Sequence, residues 1–155
     1  MNEGDVAEVG ALEAPSPPRD EELRAELLRP WARLWVARED GLGVVGVLVA
    51  WHVADEIHIL NLVTRADRRR RGIARALMNE AIEHARGARA VRLLLEVRPS
   101  NRAAILLYQS VGFYAFGVRA RYYPDDEDTI EMRLTFDPAT GRVESRPDEV
   151  RVPRG

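Results

Sequence analysis

The chain has 155 residues, 46% of them hydrophobic and 31% charged, an ordinary balance for one globular domain with a core of its own. It contains no Cys, which excludes disulfides, thiolate metal sites and a cysteine nucleophile; all 23 basic residues are Arg, which excludes a Lys Schiff base. A net charge of -2, an acidic polar start and no apolar run near roughly 18 residues argue against a nucleic-acid binder, a signal peptide and a membrane span, so a cytoplasmic location is expected.

Residues 5–13 place Val6, Val9 and Leu12 on one face of a short helix, which Pro15-Ser16-Pro17-Pro18 breaks. A second helix is expected over 19–29, since prolines are favoured near helix starts. Residues 31–38 read as a strand, 40–43 as a hairpin turn, and 44–53 and 56–64 as two more strands. The clearest helix spans 71–86, with Ile73, Ala74, Leu77, Met78, Ala81, Ile82 and Ala85 on one stripe and Gly87 where a cap belongs. Residues 90–97 form a strand apolar on both sides through Leu93-Leu94-Leu95, hence central. A helix over 101–111, closed by Gly112, and strands over 113–119 and 129–136 complete the pattern. The order predicts an α/β fold, a mixed twisted sheet with helices on both faces. Residues 1–136 form the domain, and 137–155 read as a polar, poorly ordered tail.

The strand over 56–64 runs through an Arg-rich turn into the helix at Arg69-Arg70-Arg71-Gly72-Ile73-Ala74. A helix start exposes N–H groups that have no intrahelical partner, and the helix dipole adds positive potential there. Small residues at Gly72 and Ala74 let a phosphate approach the backbone, so the turn is suited to a pyrophosphate. No Gly-Lys-Ser/Thr follows, and three spaced glycines are missing, so neither a Walker A loop nor a dinucleotide fingerprint is present. An inert Arg-rich helix start and an RNA-binding patch are the other readings, the latter weakened by the lack of neighbouring aromatics. His52, His58 and His84 lack ligand-like spacing, so no metal site is expected.

Arg69-x-x-Gly72-x-Ala74 resembles the Arg/Gln-x-x-Gly-x-Gly/Ala motif of the GNAT acetyltransferase superfamily. Leu94-Leu95-Glu96-Val97-Arg98-Pro99-Ser100-Asn101, followed by Ala104, Leu107-Tyr108 and Gly112-Phe113, resembles the RimI family of bacterial N-terminal protein acetyltransferases. Arg121-Tyr122-Tyr123-Pro124 and Ile130-Glu131-Met132 look like that family's closing hairpin. The resemblance covers about residues 51–134. It implies a GNAT fold, though the strand that opens the family's fold has no residues before the first helix here. It implies acetyl-CoA as cosubstrate. Leu62, Val63 and Thr64 would contact its acetyl and pantetheine part through the backbone. Arg70, Arg71, Gly72, Ile73, Ala74 and Arg75 would hold the pyrophosphate, and Asn101 would bond the pantetheine arm. Glu96 would be the proton acceptor and Tyr108 the proton donor.

The chemistry needs such groups, because only a free amine attacks a thioester, and an α-amino group with a pKa near 7.7–8.0 is partly protonated at neutral pH. Glu96 has a structural reading as well, a strand-end carboxylate paired with Arg98 or Arg102; Tyr108 can also pack as a core aromatic. The resemblance implies a protein or peptide N-terminus as acceptor, typically the N-terminal Ala of a ribosomal small-subunit protein. Tyr122 and Tyr123 fit a peptide N-terminus, and Asp125 and Asp126, in the hairpin bordering the acceptor, would attract a basic peptide or else form a solvated turn. Two other functions stay open: a GNAT enzyme acting on a small-molecule amine or a Lys side chain, and a non-catalytic acyl-CoA-binding module.

Overall fold

The computed structural model describes residues 1–153, so the last two residues of the expected tail lie outside the described residues. A 3-10 turn at Glu3–Asp5 leads into α1 (Val6–Gly10) and α2 (Asp20–Leu27). Strands β1 (Ala32–Glu39), β2 (Gly43–Val53) and β3 (Glu56–Thr64) follow, then a 3-10 turn at Ala66–Arg68 and α3 (Ile73–Gly87). The chain continues through β4 (Arg92–Val97), α4 (Arg102–Val111), β5 (Tyr114–Arg119) and β6 (Thr129–Thr135). The six strands form one mixed sheet in the order β1-β2-β3-β4-β6-β5, and among the described residues no strand precedes α1. No described helix is long and apolar enough to cross a membrane. The residues group into two compact units, Met1–Val53 with Ile59–His84, and Ala54–His58 with the chain from Ala85 onward.

In the first unit, β1 and β2 pair antiparallel around the turn that the Asp-Gly-Leu-Gly stretch demands, with a bulge between Ala37 and Arg38. Burial of Val6, Val9, Leu12, Leu23, Val44, Val47, Val49 and Val63 in one cluster seats α1 and α2 on this sheet. Polar ties fix the same helices. Asp5 accepts from Asn2 N–H and pairs with Arg38; Glu8 accepts from Val44 N–H at 3.0 Å; Trp51 donates its indole N–H to Glu26 at 2.7 Å. His52 and His84 meet at 3.1 Å with Trp35 edge-on to His84, so these imidazoles pack against each other, and burial together with His52 and Arg33 holds His84 below its ordinary pKa.

Gly46, in the middle of β2, decides how closely α3 can lie. A Cβ there would come within 2.9 Å of Ile73 Cγ2, 3.1 Å of Leu77 Cδ1 and 3.3 Å of the Val63 carbonyl oxygen. The missing side chain thus lets the first turn of α3 settle onto the sheet beside the end of β3.

In the second unit, β4 pairs parallel with the start of β3 (Glu56↔Arg92 to His58↔Leu94) and antiparallel with β6 along its whole length, the central place its apolar run implies. β5 pairs with β6, with an irregularity between Ala115 and Gly117. Leu93, Leu95, Ile105, Phe113, Tyr114, Ile130, Met132 and Leu134 are buried here. Asn101 caps α4 by accepting from Ala104 N–H at 3.2 Å, and Gly112 ends it in the left-handed region.

Two expectations are corrected. α3 starts at Ile73, not at 71, because Gly72 has φ +77° and cannot be helical. Gly87 is the last helical residue, not the cap; Arg89 takes the left-handed conformation (φ 56°) and Ala90 N–H donates back to Ala85 O, which also delays β4 to Arg92. Residues 137–153 make contacts within the second unit. Phe136 bridges Val143, Glu149 N–H donates to Ala115 O at 2.8 Å, Asp148 accepts from Ala115 N–H at 2.8 Å and from Gln109, and Arg102 donates to Pro153 O. Side chains with little hydrophobicity are held there by main-chain bonds that sequence periodicity does not register.

The close seating at Gly46 is testable. Gly46→Val should cost about 1–3 kcal/mol, the usual range for overpacking, read as a lower urea midpoint with an unchanged slope. An unchanged midpoint would show that α3 does not rest on β2 there.

Candidate active site

The first unit carries the residues expected to hold an anion. β3 delivers Leu62, Val63 and Thr64, with Val63 buried and its neighbours half-buried. The chain then leaves the sheet under control: Arg65 N–H donates to Val45 O and Ala66 N–H to Glu13 O, both at 2.8 Å. Arg65 pairs with Asp67 at 2.8 Å and Arg68 with Glu39 at 3.2 Å, so these two guanidinium groups brace the turn. Arg69, Arg70, Arg71 and Arg75 are exposed.

The backbone between them is shaped for an anion. Arg70 has φ 63° and Gly72 φ 77°, and left-handed residues set into a turn aim successive N–H groups toward one concavity. Nothing lies within 4 Å of the position where Gly72 would carry a Cβ. Gly72 O accepts from Ala76 N–H at 2.9 Å, which places Ile73, Ala74 and Arg75 in the first helical turn, the part of a helix whose N–H groups face away from the intrahelical carbonyls. An open cradle of N–H donors at a helix start, flanked by exposed Arg, fits a diphosphate. Arg70, Arg71, Gly72, Ile73, Ala74 and Arg75 are therefore brought together as one element.

The second unit carries the candidate acid–base groups. Glu96 is exposed on β4, opposite Glu131 on β6, whose own charge is met by Arg119 at 2.6 Å. Neither Arg98 nor Arg102 takes Glu96 as partner: Arg98 binds Asp125 and Glu127, and Arg102 binds Pro153 O. Instead Tyr122 donates its hydroxyl to the Glu96 carboxylate, and that negative charge holds the Tyr122 phenol above its ordinary pKa.

Tyr108 is buried on α4, packed at 5.8 Å against the Phe113 ring. Burial, with the Tyr123 phenol nearby, pushes its pKa up to about 12. Tyr123 bonds Thr129 Oγ1 at 3.2 Å and lies edge-on to Tyr122, with ring centroids 5.0 Å apart. The expected residues Glu96, Tyr108, Tyr122 and Tyr123 are thus linked within this unit. Asn101 spends one acceptor position on capping α4, and its amide NH₂ remains a donor type suited to a carbonyl.

The acidic hairpin differs from a free steering patch. Asp125 takes the Arg98 guanidinium at 2.9 and 3.0 Å, and Asp128 accepts from Arg121 N–H at 3.0 Å. Asp126 is exposed with a left-handed backbone (φ 64°). Sequence reasoning missed Arg98, Ser100 and Glu127 as one network, and Gly46 as the seat of α3. Their signals were a lone Arg after a strand and a Gly inside one, each common without consequence. Among the described residues, no group of three His, Asp or Glu side chains is placed to hold a metal ion.

Comparison with known proteins fits this geometry. Residues 6–113 match the acetyltransferase (GNAT) family model. A putative ribosomal protein bS18-alanine N-acetyltransferase of Bacillus subtilis is 34% identical over 133 residues, 84% of this chain and 87% of that protein. The ribosomal protein bS18-alanine N-acetyltransferase of Salmonella typhimurium is 42% identical over 85 residues, 53% of this chain and 57% of that protein. The crystal structure of the Escherichia coli ribosomal-protein-S18-alanine N-acetyltransferase superposes with a TM-score of 0.79 at 29% identity, covering 87% of this chain and 90% of that one. With the strand, phosphate-shaped turn and helix in place and the match spanning most of its length, the chain belongs to the GNAT family and is an acetyl-CoA-dependent N-acetyltransferase.

Proposed function

We propose that this enzyme acetylates the α-amino group of a protein N-terminus, with Glu96 as proton acceptor and Tyr108 as proton donor, and that the N-terminal Ala of ribosomal protein bS18 in the cytoplasm is its acceptor. What supports this reading most is an exposed carboxylate, Glu96, that neither Arg98 nor Arg102 pairs and that faces the Tyr122 phenol. The names of relatives that match most of the chain support the acceptor.

The diphosphate of acetyl-CoA is held by the N–H donors at 70–75, with Arg70, Arg71 and Arg75 adding charge. The resemblance gives the backbone of Leu62, Val63 and Thr64 a contact with the pantetheine arm, and separately gives Asn101 a hydrogen-bonding role toward that arm. The free peptide amine displaces the Tyr122 hydroxyl and attacks the thioester carbon; as the C–N bond forms, Glu96 takes one proton from the nitrogen, and collapse of the oxyanion breaks the C–S bond, leaving the amide and the CoA thiolate. Tyr122 and Tyr123 flank the acceptor backbone. Asp126, which points its charge to solvent, is the hairpin carboxylate left for a basic acceptor, and Asp125 contributes through the position of the hairpin.

Tyr108 has a physical constraint. A phenol near 12 keeps its proton throughout the neutral range, so it is always ready to donate. Passing that proton fully to an alkyl thiolate, whose conjugate acid lies near about 8.5, runs uphill by roughly three units. Its help therefore comes chiefly from a hydrogen bond that strengthens as charge collects on sulfur, and the thiol takes its final proton as solvent returns.

Two outcomes are expected. Glu96→Gln and Tyr108→Phe should each lower kcat by about 10²–10³ on a peptide beginning Ala-Arg, with acetyl-CoA affinity changed less than about twofold. A peptide with a blocked N-terminus and a free Lys should remain unmodified in the same thiol-release assay; its acetylation at a similar rate would move the assignment to side-chain amines. The second outcome concerns pH. kcat/KM for the Ala peptide should rise as its amine deprotonates near pH 7.7–8.0 and then stay level to about pH 10, because Tyr108 is still protonated there. A descending limb centred between about pH 8 and 9.5 would contradict Tyr108 as the donor.

A further inference from the structure

Arg98 sits one residue past β4, where the chain turns toward α4. Its guanidinium lies 3.8 Å from the centre of the Tyr123 ring. One terminal nitrogen of the same group donates to both Asp125 carboxylate oxygens, at 3.0 and 2.9 Å, and to Glu127 Oε1 at 3.1 Å. Glu127 in turn accepts from Ser100 N–H and from Ser100 Oγ, each at 3.0 Å. Below the ring, Tyr123 bonds Thr129 Oγ1, and that hydroxyl donates to Val97 O at 3.4 Å. The segment from 121 to 128 is thus fastened next to the β4–α4 turn through one face of the Tyr123 ring and through its hydroxyl.

Within the segment Arg121 and Asp126 take left-handed backbone conformations, Tyr123 N–H donates to Glu127 O at 3.1 Å, Asp126 N–H to Tyr123 O at 2.9 Å, Arg121 N–H to Asp128 Oδ1 at 3.0 Å and Glu127 N–H to Asp125 Oδ1 at 3.2 Å. Two carboxylates around one cation would repel each other without it. Resting on the reading of Glu96 and Tyr108 above, we propose that Arg98 is a positioning residue for acetyl transfer: its bonds to Asp125 and Glu127 and its stacking on Tyr123 set where Tyr122 and Tyr123 stand beside Glu96 and Tyr108.

Residue type alone carries no information here, since the chain uses Arg at every basic position. The geometry does. A guanidinium can lay its flat, delocalised face on the ring while one of its nitrogens bonds the two carboxylates; an ammonium keeps the charge but loses that planar contact. The same geometry changes the meaning of the acidic hairpin. Asp125 and Glu127 serve the shape of the acceptor side, and their charge is largely met within the molecule.

The test compares wild type with Arg98→Lys, which keeps the charge, and Glu127→Gln, which keeps an acceptor for Ser100. Steady-state kinetics are measured with an Ala-Arg peptide and acetyl-CoA, alongside amide hydrogen exchange of 121–128 and a thermal melt. Arg98→Lys should lower kcat/KM for the peptide about tenfold or more, leave KM for acetyl-CoA within about twofold, and speed exchange at Tyr123 and Asp126. Glu127→Gln should show the same pattern more weakly. Peptide kinetics within twofold of wild type, or an equal rise in KM for acetyl-CoA, would overturn the proposal. If Arg98→Lys melts before assay, Glu127→Gln decides by the same criteria. If wild type itself does not modify the peptide, it is the acceptor assignment that fails; unchanged exchange in the variants would then still overturn the role of Arg98.

Discussion

The seating of α3 on β2 at Gly46 is the contact on which the cofactor side of this enzyme depends. Without a side chain at Gly46, Ile73 and Leu77 come down onto the sheet beside the Val63 carbonyl. That brings the first turn of α3, and the N–H donors behind Gly72, to the end of the strand bearing Leu62, Val63 and Thr64. Gly46 is a matter of space and Gly72 one of backbone conformation, since φ +77° lies where other residues pay in strain. Two glycines 26 residues apart thereby shape the proposed anion site, and the Arg side chains around it would add attraction without defining its shape.

The second unit places its chemistry differently. The groups proposed to react are not held by a single contact but by a chain of them: Thr129 on Val97, Tyr123 on Thr129, Arg98 on Tyr123, and the hairpin carboxylates on Arg98. Glu96 stays accessible because Arg98 is engaged elsewhere and because Arg119 meets the charge of its cross-strand neighbour Glu131. Tyr108 stays protonated because it is buried. An open carboxylate and an enclosed phenol, 12 residues apart in sequence, suit the base and donor roles proposed for them at one pH.

Much of this was legible in the sequence, for reasons that can be named. Strand β3 was read with its observed limits because alternation stops at Thr64 and an Arg-rich turn follows. The central place of β4 followed from apolar residues on both its faces. What was not legible depends on long-range main-chain or charge pairing. Arg89, not Gly87, closes α3 because Ala90 donates back to Ala85, a choice that glycine position alone does not reveal. Residues 137–153 lack hydrophobic periodicity and are held by bonds to Ala115, Gln109 and Arg102. The partner of Glu96 was sought among the nearest cations in sequence, whereas the fold supplies Tyr122 from a hairpin 26 residues away.

The most direct test of the central claim, that amide donors at Gly72 grip the diphosphate, lies in the ligand. Titration calorimetry of the full chain with CoA and with pantetheine, which shares the arm and thiol but lacks the nucleotide and diphosphate, isolates that contribution. Two or more charge-assisted bonds at about 1.5–3 kcal/mol each predict that CoA binds at least about a hundredfold tighter. Equal affinities would contradict the account.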